Sequence, residues 1–104
     1  MDGCICIHPS LRLEDVLGRN HSDLLKAQNC PVMVAAASND PDWCHPGGEW
    51  EVSSKALGFE GKSKFYSFPD QLHGWSCRGD MQDEKIKRDV DLVFAQALDF
   101  IKSI

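Results

Sequence analysis

Two short loops hold the residue types best suited to chemistry. Ser38-Asn39-Asp40-Pro41-Asp42-Trp43 follows the apolar run Pro31 to Ala37, and Gln71-Leu72-His73-Gly74-Trp75 follows the run Lys64 to Phe68. A histidine takes a proton from a hydroxyl, thiol or water near neutral pH. A carboxylate at its other ring nitrogen fixes the tautomer and stabilises the imidazolium that forms. Asp40 and His73 are therefore candidates for the acid and the base of an acyl-transfer site. Asp42, two residues along the same loop, is the alternative acid, and Trp43 and Trp75 are candidates to wall a substrate pocket. Each has a plainer reading. Asp40 before a proline suits a turn, His73 before a glycine suits a hydrogen-bonded loop, and tryptophans in a small chain usually pack in a core or under a lid.

The elements that must position these loops are legible as periodic runs. Cys4 to His8 is short, apolar and closed by Pro9, and Pro31 to Ala37 is a continuous apolar run closed by turn formers. Neither alternates cleanly, so both read as strands covered on two faces. Lys64 to Phe68 reads as a third strand. Glu49 to Leu57, between Gly47-Gly48 and Gly58, reads as a helix, and Leu11 to Leu17 is only loosely helical. From Asp83 to Ile104 the positions Ile86, Val90, Val93, Ala97, Ile101 and Ile104 form one helical stripe. Strands alternating with helices predict an α/β layered fold with about three parallel strands. So narrow a sheet leaves an apolar edge along its first strand. That edge predicts self-association, or a missing N-terminal half that supplies the next strand.

Composition narrows the classes. A net charge of −5 provides no basic stripe to neutralise phosphates, so a nucleic-acid binder is not expected. No apolar run approaches the roughly 20 residues that cross a bilayer. The apolar start ends at His8-Pro9 and lacks the basic lead of a signal peptide, which predicts a cytoplasmic protein. Five cysteines without a CxxC pair predict free thiols. Cys4 and Cys6 should share one face of the first strand. His73 with Cys77, or Cys44 with His45, matches no standard zinc spacing, and no metal or organic cofactor is expected. His8 reads as a core or turn histidine, His21 and His45 as solvated, and Arg78-Gly79-Asp80 as an exposed turn.

Three blocks carry a family resemblance: His8-Pro9-Ser10 after a strand, the run Pro-Val-Met-Val-Ala-Ala-Ala-Ser-Asn-Asp ending at Asp40, and His73-Gly74-Trp75-Ser-Cys-Arg78-Gly79-Asp80. Together with the last helix they resemble the C-terminal portion of the dienelactone hydrolase family over essentially residues 1–104. The resemblance implies an α/β-hydrolase fold, incomplete here, and hydrolysis of small ester or lactone substrates. Acid after one strand and histidine after the next is also the tail of the order nucleophile, acid, histidine in that superfamily. By the resemblance Asp40 matches the triad acid and His73 the triad histidine.

The sequence departs from the family at the nucleophile. The family's cysteine or serine sits in a G-x-C-x-G type turn, and no pair of glycines here brackets a Cys or Ser at that spacing. The expectation is therefore a hydrolase-family chain that is inactive alone. A short non-catalytic relative serving as a binding or dimerisation module is the alternative.

Overall fold

The computed structural model describes residues 2–11 and 13–104. Three strands, β1 (Cys4–Ile7), β2 (Val32–Ala37) and β3 (Lys64–Phe68), form one sheet in the order β1-β2-β3. Both pairings are parallel, with Cys4 opposite Val32 and Met33 opposite Lys64. The helices are α1 (Leu13–Val16), α2 (His21–Lys26), α3 (Glu49–Ser54), α4 (Trp75–Arg78) and α5 (Glu84–Ser103). None is long and apolar enough to cross a membrane among the described residues. The chain is a three-stranded parallel α/β sheet with flanking helices.

The central strand explains why its sequence does not alternate. All six residues of β2 are buried. Met33, Ala35 and Ala37 face one core with Phe68, Trp75, Val90, Val93, Ala97 and Phe100. Val32, Val34 and Ala36 face the other, with Leu25 of α2, Cys44 and Trp50 of α3. Side chains of period two thus meet an apolar layer on each side. β1 is only half-buried, and among the described residues it pairs with β2 alone. Cys4 and Cys6 do lie side by side, their sulfurs 3.8 Å apart, and all five cysteines are free thiols.

α5 is capped by Asp83, whose Oδ1 accepts from the Lys85 N–H at 2.9 Å, a contact of the kind that stabilises a helix by about 1 kcal/mol. Its buried stripe departs from the expected one at the C-terminal end. Phe100 is buried, whereas Ile101 and Ile104 are about half-exposed. At 3.6 residues per turn the three-residue step from Ala97 to Phe100 stays on the sheet-facing line, and Phe100 fills the space beside Gly3. Exposed Phe94, Leu98 and Ile101 form a second apolar line on the same helix.

α2 was not evident from the sequence, and His21 at its start is not simply solvated. Its Nδ1 lies 2.8 Å from Asp15 Oδ2 and its Nε2 lies 3.1 Å from Glu49 Oε1. The ring stacks on Trp43 with centroids 4.4 Å apart. Burial opposes the imidazolium, but the hydrogen bonds and charges of Asp15 and Glu49 outweigh it, and the His21 pKa is raised above 6.5. A raised folded pKa contributes stability that is complete below the unfolded value and fades as pH rises through the folded one. The difference in Tm between wild type and His21→Gln is therefore expected to shrink from about pH 6 to about pH 8. A difference that stays constant across that range would remove the clasp from the account.

Candidate functional site

Parallel strands deliver their following loops to one end of the sheet, where α/β proteins gather their functional groups. The loops after β2 and β3 are tied together there. Both the N–H and the Oγ–H of Ser38 donate to the Gln71 carbonyl, each at 2.8 Å. The His73 N–H donates to Asn39 Oδ1 at 2.8 Å. A further brace comes from α5, where Gln71 Nε2 donates to Asp89 Oδ2 at 2.7 Å. Asp89 is itself buried, and its hydrogen bond from Arg88 holds the carboxyl below its ordinary range despite that burial.

Within this frame Asp40 and His73 meet. His73 Nδ1 lies 2.8 Å from Asp40 Oδ1, the aspartate side chain 1% exposed and the imidazole 22%. Asp40 Oδ2 accepts from the Ala37 N–H at 2.8 Å. A buried carboxylate is tolerated only where donors replace its water, and here each oxygen has one. With Asp40 accepting, His73 Nδ1 carries the proton and Nε2 is left as an acceptor. Ser10 Oγ lies 3.2 Å from that Nε2. Below the acid loop, His45 Nε2–H donates to the Asp40 carbonyl at 3.2 Å and Nδ1 accepts from Ser67 at 3.0 Å.

Asp42 is exposed and begins a 3₁₀ turn over Asp42–Cys44, without a side-chain hydrogen bond to His73 among the described residues. Of the two candidate acids, Asp40 is the one in contact. Trp43 stacks on His21 rather than beside His73. Trp75 is 4% exposed and packs on Phe68 at 4.9 Å. It also shares with His73 and Arg78 the lining of a cleft of about 330 Å³. Gly74 between them has φ 93, and a Cβ there would strike the Arg78 guanidinium, so the turn needs glycine.

Three residues reach the site that the sequence reading did not assign to it. His8, at the end of β1, has its ring 5.0 Å from that of His73 and edge-on to it, and 5.3 Å from Trp75. Its Nε2 lies 2.7 Å from Ser76 Oγ. Burial lowers the His8 pKa, with the nearby His73 and Arg78 acting in the same direction and a backbone hydrogen bond and Asp40 opposing them. His8 also has φ 42, a left-handed conformation that costs a non-glycine residue about 1 kcal/mol or more. Ser10 and Ser76 are the other two. The signal for His8 and Ser10 was the strand-ending His8-Pro9-Ser10 block, whose proximity to His73 depends on strand order, whereas Ser76 lies three residues beyond His73 in the same loop and helix start.

Among the described residues, no three His, Cys, Asp or Glu side chains are grouped so as to hold a metal ion. Burial pushes the thiols of Cys6 and Cys44 up to about 12, which keeps both protonated and unreactive at neutral pH. The chain matches no family model, no curated protein and no solved structure.

Proposed function

We propose that this chain carries the acid and the base of an acyl-transfer site acting on small esters or lactones, as the C-terminal part of an α/β-hydrolase fold of the dienelactone hydrolase type. The supporting observation is the 2.8 Å contact between a buried Asp40 and a solvent-reached His73 whose Nε2 is free to accept a proton. Asp40 orients the ring and stabilises the imidazolium, and His73 removes the proton from the attacking group and returns it to the leaving alcohol. The cleft beside His73, with Trp75 and Arg78 on its walls, is the space for a small substrate. A reducing cytoplasm suits the five free thiols.

The G-x-C-x-G turn is absent from the sequence. The direct test therefore supplies the nucleophile from solution. Transfer of the acetyl group of p-nitrophenyl acetate to an added alkyl thiol should be accelerated by the wild-type protein. His73→Ala should lower that acceleration by about 100-fold, the smaller end of general-base contributions. Equal rates for the two proteins would remove the acid–base reading.

A second reading has its own observation. Among the described residues β1 pairs on one side only, and Phe94, Leu98 and Ile101 of α5 are exposed, as in a module that docks a second copy or a further α/β segment. Sedimentation that changes with concentration would support self-association, and a monomer at all concentrations would count against it.

A further inference from the structure

The three strands end in three loops at the same end of the sheet, and each brings one polar residue to a common point. Ser10 follows β1, Asp40 follows β2 and His73 follows β3. The hydrogen bonds run in one line, Ser10 Oγ to His73 Nε2 at 3.2 Å and His73 Nδ1 to Asp40 Oδ1 at 2.8 Å. We propose that Ser10 is the nucleophile on which this pair acts, so that it forms an acyl-serine with small esters and lactones. The proposal builds on the acid–base reading above and names the atom on which that pair acts.

Several features favour the assignment. The tautomer fixed by Asp40 leaves Nε2 as the acceptor, so Ser10 is the donor in their hydrogen bond, as a nucleophile activated by a general base must be. Ser10 is exposed, and an ester can reach its Oγ. Among the described residues, the N–H groups of Ser10 and Leu11 have no acceptor. We assign them, as the unused backbone donors nearest to Ser10 in the chain, to the oxygen of a tetrahedral intermediate. The strained His8, two residues before Ser10, packs its ring on His73 and fixes the exit of β1. Cys44, by contrast, lies buried among apolar neighbours, and the half-buried Cys6 packs against the same cluster.

The chemistry closes without a further reagent. The Oγ–H proton passes to His73 Nε2 while Oγ bonds to the carbonyl carbon and the carbonyl electron pair moves onto its oxygen. Collapse breaks the ester C–O bond, and the leaving alkoxide takes the proton from Nε2 and departs as the alcohol. With a lactone the new alcohol stays attached to the acyl chain. Water then repeats the two proton transfers, releases the acid and restores the Ser10 hydroxyl.

The test is an acid-quenched reaction with p-nitrophenyl acetate, in the absence of thiol, followed by peptide mass analysis. One acetyl group is expected on the peptide that contains Ser10. Its rate of formation should fall by about 100-fold or more in His73→Ala, and the adduct should vanish in Ser10→Ala. Ser10→Cys, which keeps a nucleophile at the same atom, should restore acylation. Circular dichroism of each variant shows whether its fold is intact. An acetyl group on a lysine or on His73, formed as readily in Ser10→Ala, would overturn the proposal. Absence of an acyl-enzyme while thiol transfer still depends on His73 would overturn Ser10 as nucleophile and leave the acid–base pair standing. Loss of both dependences would remove both.

Discussion

Asp40→Asn is expected to lower acyl transfer to an added thiol nearly as far as His73→Ala does, by about 100-fold, while the fold persists. The substitution is isosteric, and the amide oxygen can still accept from the Ala37 N–H that Asp40 Oδ2 now holds. The amide NH₂ then faces His73 Nδ1 and donates to it. Nδ1 must become the acceptor, so the ring proton moves to Nε2 and the lone pair needed for catalysis disappears. The imidazolium also loses its carboxylate. Rates of thiol-dependent acetyl transfer, measured beside a thermal melt, check this. A loss of only a few-fold in a folded variant would mean that Asp40 does no more than close a turn.

Trp75→Ala should have the largest effect on stability, about 3–5 kcal/mol. That is a large part of the 5–15 kcal/mol that holds a typical domain together. The indole lies in the α5-facing core between Phe68 and His8, so alanine leaves a large space among them. Its Nε1 has no hydrogen-bond partner among the described residues. Trp75→Phe therefore removes an unpaired donor as well as some volume, and should cost much less than alanine. Denaturant melts of the two variants separate core from pocket. Were Trp75 chiefly a substrate wall, alanine would leave the midpoint in place and change KM instead.

The pairing of Asp40 with His73 was legible because it depends on local rules. Two apolar runs each ended in a turn, and parallel strands send such turns to the same end of the sheet. The continuous run Val32–Ala37 likewise announced a strand buried on both faces. What escaped the sequence depended on longer-range geometry. α2 carries one buried residue, Leu25, and its Asn20 cap gave the only local sign of it, so no periodic stripe was there to find. The turn of the α5 stripe from Ile101 to Phe100 is decided by what lies across the sheet, beside Gly3. Ser10 and His8 join the site because β1 and β3 flank β2, and strand order is not written in any single segment. His21 looked solvated because its partners Asp15 and Glu49 come from two other segments of the chain.

The central claim is that Asp40 fixes the His73 tautomer, with the ring proton on Nδ1 and the lone pair on Nε2. Nitrogen-15 NMR of His73 reads that state directly. In the neutral ring the proton is expected on Nδ1, at low field, and the lone pair on Nε2, with the two roles exchanged in Asp40→Asn. A His73 that carries its proton on Nε2 in the wild-type protein, or whose tautomer ignores the Asp40 substitution, would contradict it.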